Sequence, residues 1–484
     1  MGNVASHPHR RTWRASTSLA ALTFVAVVNA ACAVHVSADN EERTLAFPGA
    51  EGAGQFTKGG RGGAVYKVTS LADSGQGTLR AAVEAQGARM VVFDVSGTIA
   101  LKSPLKIANA FITIAGQTAP GDGITLRDQP LIVAADDVII RYLRSRLGDV
   151  SKTQADAVTV VKGRNIILDH ISASWSTDET LSLSSRFDPP ENGFYDVTVQ
   201  WSIISESLDR SRHTKGRHGY GTLIRASHGA RISFHHNLWA HHQARMPRPG
   251  NYKDFTADPD GPVIDFRNNV FFNWGGDTEA NHAKEGPFAG IGRIDARAAG
   301  YNADTQSAIG YNFIANAYKR GPDSRAMLIM CEHDQKARAY LAGNMVDGQV
   351  VNDQWSLVAC EPSPDYRLSS PIGVAPVSTD SAHVAYRRVL SAAGASKARD
   401  AVDKRIVAHV RKGAGRIIDS QADVGGWPKL RSKKPPRDSD GDGMPDRWEK
   451  VHKLDAANAS DGAMDPDGDG YTDLENYLNG LVAD

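Results

Sequence analysis

The most stereotyped chemistry in this 484-residue sequence lies near its end. Asp438, Asp440, Asp442, Gly443 and Glu449 stand at positions 1, 3, 5, 6 and 12 of a twelve-residue calcium loop, with Asp446 at position 9 and the Met444 carbonyl at position 7. A hard cation takes six to eight oxygens, and this spacing folds them around one point. Asp465, Asp467, Asp469, Gly470 and Asp473 repeat the pattern, but Asn476 takes position 12 and Glu475 comes one place early. The bland alternative for both loops is an acidic, solvated tail.

A second set lies mid-chain. Asp156 stands 13 residues before the pair Asp169-His170, and Asp178-Glu179 follow in WSTDETLSLS. Paired carboxylates make a metal site, a general acid–base pair or ordinary solvated charge, and spacing does not choose among them. Arg210, Arg212, Lys215, Arg217, Arg245 and Arg248 come next. Crowded like charges repel, so this clustering calls for an anionic ligand or flanking carboxylates, with a solvated basic face as the alternative. Arginine forks clamp carboxylates bidentately, and Pro247 stiffens the Arg245-Met-Pro-Arg248 segment. His235, His236, His241 and His242 alternate along a strand and its exit, so some must point inward and pack.

These side chains need a frame, and the frame is repetitive. A short strand recurs from about Ala134 to Val346: VIIRYL, NIILDHI, VTVQWSI, ISFHHNL, VIDFRNNV, AIGYNF and AYLAGNM. Their last apolar residues are spaced by 28, 32, 35, 32, 43 and 32 residues. One strand per roughly 30 residues, none able to bury its own apolar face, is the pattern of a solenoid. The residue before the last apolar position is Asn237, Asn269, Asn312 or Asn344 in four repeats, with His170 and Ser202 in earlier slots. Asparagine tolerates the left-handed turn between strands, and amides in register bond from coil to coil, which predicts an asparagine ladder. On such a stack, side chains of neighbouring coils lie about 4.8 Å apart, which lets Asp156 and Asp178 converge. SGQGTLRAAVEA, Ser74 to Ala85, predicts a helix capping the open end. Asp380 to Lys412 predicts two more, with Gly394 and Gly413 after their ends.

Composition narrows the classes. Lys plus Arg and Asp plus Glu are both 55, and zero net charge argues against a dedicated nucleic-acid binder. At 41% hydrophobic and 23% charged, the chain is globular material rather than disordered. The neutral balance hides an asymmetry. Glu206 to Lys253 carries nine bases against two acids, suited to an anionic partner. From Asp438 onward there are thirteen acids against three bases, suited to cations. Arg10, Arg11 and Arg14 precede the apolar Leu19–Val28, and Ala31-Cys32-Ala33 fits a cleavage site. The expectation is a signal peptide over 1–33, with lipidation at Cys32 disfavoured by Asn29, and no membrane span. Cys331 and Cys360 then remain, a permitted disulfide that sequence does not establish.

From Ala46 to about Pro428 the chain resembles polysaccharide lyase family 1, the pectate lyases. The resemblance rests on AFPGAEGAG, GGRGG, VFDVSGTI, ILDHISASWSTDE, HGYG and the HHN…ARMPR stretch. It implies an all-β fold, a right-handed single-stranded parallel β-helix, with peripheral helices and a small calcium-loop tail. It implies a calcium cofactor and β-elimination on pectate, the de-esterified, anionic polysaccharide. By the same resemblance Asp156 and Asp178 are calcium ligands, Arg245 is the catalytic arginine, and Lys215 and Arg248 bind substrate. Two positions depart: Gln154 and Ser182 stand where an acid is common, and Glu179 is the residue that compensates. The tail resembles dockerin or thrombospondin type 3 calcium repeats over about 40 residues.

The expected organisation is a lyase domain over 44–430, a basic linker over 431–437 and a separate calcium-binding tail over 438–484, in a secreted monomer. The tail's expected partner is a cell surface or scaffold. Competing functions are a lyase for methyl-esterified pectin or another uronate polymer, and a non-catalytic carbohydrate-binding protein.

Overall fold

Strand Phe194–Gln200 shows how the sequence makes the fold. Val197 and Val199 point inward, and parallel pairing stacks them on Ile232 and Phe234, then Ile264 and Phe266, then Tyr311 and Phe313. Phe234, Phe266 and Phe313 form a stack with centroids 5.7 and 4.9 Å apart. Between these columns runs an outward one, Thr198, Ser233, Asp265 and Asn312. The period of two that separates the columns is the strand period.

The computed structural model describes residues 43–275, 298–360 and 363–483. The expected signal peptide over 1–33 lies outside them. The first sheet runs in parallel from Ala64–Val68 to Ala337–Ala342, one strand per coil. A second runs from Gly97–Ala100 to Met345–Val346, and a third face includes Leu105–Ile107, Leu131–Ala134, Leu181–Ser184 and Ile224–Arg225. The result is the right-handed parallel β-helix expected from the repeat. No described helix is long and apolar enough to cross a membrane.

The ladder exists, with one member misassigned. Asn237 bonds to Asn269, Asn269 to Asn316 and Asn316 to Asn344, each amide donating to the next Oδ1 at 3.0 to 3.1 Å. Ser202 precedes the series and Gln354 ends it. Asn312 is not a rung. It lies between inward Tyr311 and Phe313, so it faces out and donates to Asp265 and to the Ile372 carbonyl. The left-handed residues are those just before the rungs: Trp201, His236, Asn268 and Ala315. Asn269→Leu removes the acceptor of Asn237 and the donor to the Phe234 carbonyl. Unsatisfied buried groups cost about 1–3 kcal/mol each, so the melting temperature should fall by several degrees; calorimetry that finds no change refutes the ladder's importance.

Helix α1 (Leu79–Glu84), capped by Thr78, buries Leu79, Ala82 and Val83 against the first coils. Helix α2 (Ala382–Ala392) is capped by Ser381. Helix α3 (Ala401–Lys412) starts at Asp400 and ends on Gly413, whose φ of 67° is the left-handed conformation glycine adopts cheaply. Both pack on the second sheet. Cys331 and Cys360 form a disulfide.

The segment expected to be a free linker is tied down. Arg431 donates to Asp122, Ser432 pairs with Gly121, and Lys433 donates to the Pro120 carbonyl. The tail then packs on the first coils through helices α4 (Asp446–His452) and α5 (Asp473–Gly480). Met444, Leu474 and Leu478 cover the outward-facing Met90, Val92 and Ala115. Lys67–Asp438 and Arg61–Glu475 ion pairs cross the same contact at 2.8 and 3.0 Å. The expected separation of the tail is therefore corrected: apolar residues on both faces of Met90–Phe93 demand a cover, and the tail supplies it.

Candidate active site

Register brings the mid-chain acids together. Val158 pairs with Leu181, so the residues two places earlier, Asp156 and Glu179, fall on adjacent coils. Glu179 pairs with Tyr220, and Tyr220 with Ala244, which sets Arg245 beside the same column. Ligand oxygens of Asp156, Asp178 and Glu179 all lie within 4.8 Å of one another. Close approach of the coils needs Gly221 of the HGYG stretch: a Cβ there would sit 2.7 Å from the Arg245 carbonyl oxygen.

Each acid is held differently. Asp156 accepts from Thr159 Oγ1 at 2.7 Å and from the Glu179 amide at 3.2 Å. Burial, and then the neighbouring Asp178, push its carboxyl up to about 7. Asp178 lies 2.9 Å from His218 Nε2 and 3.5 Å from His213 Nε2, and the two imidazoles stack at 3.7 Å. Burial would raise Asp178, but the His218 hydrogen bond and the nearby cations hold it below its ordinary value. Glu179 pairs with Arg245.

Arg245 has a φ of 59°, stacks over Tyr220 with its guanidinium 3.9 Å from the ring centroid, and donates from Nε to Tyr301 Oη at 3.1 Å. Burial lowers its pKa. Burial pushes the Tyr301 phenol up, yet Arg245 and Arg248 outweigh that and leave it below its usual value. Arg248 is nearly buried, 3.8 Å from Asp304. Lys215 is exposed, its amide on His213 Nδ1 at 3.1 Å. Arg217 pairs with Asp209 and Gln243, so it is structural. Gln154 bonds to His213 at 2.9 Å, so its amide steadies a histidine rather than standing in for an acid. His235, His236, His241 and His242 are all buried, and their ring nitrogens bond to one another, Asp380, Asn273, Ser207 and the Ile204 carbonyl. Tyr220, Tyr301, His213 and His218 complete the site without having been foreseen; only the HGYG stretch, holding His218 and Tyr220, carried a signal for them.

The site holds a compact acidic cluster, one guanidinium facing it and basic residues alongside. A separate cavity of about 730 Å³ is lined by Phe47, Tyr142, His170, Trp201 and Lys397 and contains none of these groups.

Probable pectate lyase C of Aspergillus terreus is 34% identical over 456 residues, covering 90% of this chain and 94% of the relative. The chain belongs to the pectate lyase family. Probable pectate lyase C of Aspergillus flavus is 35% identical over 449 residues, with 90% and 94% covered, and that of Emericella nidulans 34% over 442 residues, with 90% and 93%. No family model matches the chain. Among solved structures, the cedar pollen allergen jun a 1 aligns at 18% identity over 71% of this pectate lyase and 92% of the allergen, with a TM-score of 0.46. A pectate lyase bound to a hexasaccharide aligns at 14% identity, over 74% of this chain and 99% of that one, with a TM-score of 0.47. The curated relatives make the protein a polysaccharide lyase, and its β-helix stands on its own strand pairing.

Proposed function

We propose that this pectate lyase is secreted and cleaves polygalacturonate by calcium-assisted β-elimination, releasing unsaturated oligogalacturonides. The observation that carries the reading is the meeting of Asp156, Asp178 and Glu179 with Arg245 on successive coils. When ionised, three carboxylates against one guanidinium leave two negative charges, which matches a divalent cation. The donors are all oxygen, as a hard cation prefers. The raised pKa of Asp156 marks carboxylates crowded together in a buried place. Calcium bound there supplies a Lewis acid that neutralises a substrate carboxylate and favours charge building on it.

β-Elimination moves the C5 proton of a uronate to a base, forms the C4–C5 double bond and expels the C4 oxygen with the departing chain. Arg245 is the base in this reading. An ordinary guanidinium keeps its proton; burial lowers the Arg245 pKa, while Tyr301 and the Glu179 pair favour its charged form. Tyr301 and Tyr220 fix its position. His213 and His218 orient Asp178. Lys215 reaches into solvent to meet a uronate carboxylate, and Arg248 adds positive charge from behind. This basic edge favours free carboxylates over methyl esters. Export is supported by the Arg10–Arg14 and Leu19–Val28 pattern and by the disulfide, which suits an oxidising compartment.

The test is formation of an ultraviolet-absorbing unsaturated product from polygalacturonate, with calcium and with chelator. Product should form with calcium and stop on chelation; full turnover in chelator rejects the calcium step. Asp156→Asn should raise the calcium needed for half-maximal rate about tenfold, more than it lowers the rate at saturation. An unshifted calcium titration removes Asp156 from the ligand set.

A further inference from the structure

The tail holds an acidic cluster that extends the twelve-residue pattern: oxygens of Asp438, Asp440 and Asp442 gather as its first positions require, and a residue from outside the loop joins Asp442. Oxygens of Asp442, Glu449 and Asp461 lie within 4.8 Å of one another, and the three residues are 4%, 0% and 7% exposed. Asp461 lies twelve residues beyond Glu449, outside the loop, in the short turn Asp461–Ala463. Gly462 lets that turn approach, since a Cβ there would meet Asp442 Oδ2 at 2.6 Å.

The oxygens of this cluster are largely unspent. Asp442 Oδ1 accepts from the Met444 amide at 2.8 Å, and Asp461 Oδ2 from the Asp455 amide at 3.0 Å. Asp442 Oδ2, Asp461 Oδ1 and both Glu449 oxygens are buried without a hydrogen-bond partner, as is Asp440 Oδ2 beside them. Buried carboxylate oxygens without donors are strongly disfavoured unless a cation answers them.

Asp446, at position 9, is spent elsewhere. It accepts from the Ser439 amide and hydroxyl at 2.7 and 2.8 Å and pairs with Arg437 at 3.1 Å. In the second loop, Glu475 accepts from Thr472 and Arg61. Asp465, Asp467 and Asp469 are exposed, and Asp473 alone there has a buried oxygen without a partner.

We infer that Asp440, Asp442, Glu449 and Asp461 form a structural calcium site, completed from outside its loop by Asp461, which clamps the tail onto the outer face of the first coils. All donors are oxygen, which selects a hard cation over zinc or copper. The site is built into the contact. Met444, between Asp442 and Glu449, is fully buried against Met90 and Val92, and Asp438 at the head of the loop bonds to Lys67. Ordering the loop therefore orders the apolar cover as well. The inference does not depend on the catalytic reading.

The experiment titrates calcium into chelator-treated full-length protein carrying Asp178→Asn, so that the catalytic cluster is weakened throughout. The readouts are melting temperature and protease cleavage within 431–437. Calcium should raise the melting temperature and protect the segment. Adding Asp461→Asn should move the midpoint to about tenfold more calcium or beyond, while Asp446→Asn moves it less than about twofold. The inference is overturned if Asp461→Asn leaves the midpoint in place, or if Asp446→Asn shifts it equally. Should the Asp461 variant not fold, the parent protein decides: protection that does not respond to calcium rejects the clamp.

Discussion

Arg245→Lys should lower turnover on polygalacturonate by about a hundredfold or more, the scale of losing one preorganised charge-stabilising group, while the β-helix stays folded. Lysine keeps the charge but not the planar fork. It cannot pair with Glu179, donate to Tyr301 and lie flat on Tyr220 at once, as Arg245 does. The rate at saturating calcium and a thermal melt together make the measurement. A variant keeping more than about a tenth of the rate, roughly 1.4 kcal/mol in the barrier, would show that Arg245 is not the key group.

The largest stability effect should come from Asp403→Asn. Arg146 is fully buried and donates to Asp400 and Asp403 at 3.0 and 2.9 Å, with Arg144 alongside, 3.7 Å from Asp400. Ser172 donates to Asp403 at 2.7 Å, so the start of α3 is bonded directly to the second sheet. The two arginines and two aspartates balance. Removing one charge leaves an uncompensated buried cation, at about 3–5 kcal/mol. Denaturant unfolding reads this, and a change under about 1 kcal/mol would mean the site admits water. Acid should act in the same direction. Burial would raise Asp400, but Arg146 and Arg144 hold it below its ordinary value. A depressed carboxyl stabilises fully above its unfolded pKa of about 4 and loses that contribution as pH falls through the folded one.

The β-helix was legible because its cause is local. Each strand carries its own alternation, and Asn237, Asn269 and Asn344 stand at the turns that follow. Asn312 misled because the wrong apolar residue marked its repeat. Phe313 stacks on Phe266 inside the first-sheet strand, and the residue matching Val270 is Ala317, which follows the rung Asn316. Asp156, Asp178 and Arg245 were visible as residue types in suggestive company. The partners that set their chemistry were not: His213 and His218 stand in an irregular segment and Tyr301 on the short strand Gly300–Asn302, and no periodicity governs the path to either. Asp461 was hidden for the same reason: a ligand from outside a loop has no place in the loop's spacing. The docking of the tail did leave a trace. Met90 and Val92 make an outward face apolar on a strand already apolar inward, and that surplus announces a neighbour without naming it.

The two ends of the stack carry a different consequence. A column of parallel strands offers a bare edge at each end, and such edges join molecules head to tail into filaments that never close. Here the far end is shut: the antiparallel Met345–Val346 and Gln349–Val350 hairpin breaks the parallel rule, and Arg367 bridges to Ala339 on the last strand. At the near end α1 plugs the bore. A molecule finished at both ends can gain length only from within. New coils must enter the middle of the stack, where every rung already has a rung above and below to receive it, and the substrate face lengthens or shortens one coil at a time while its terminal fittings stay fixed.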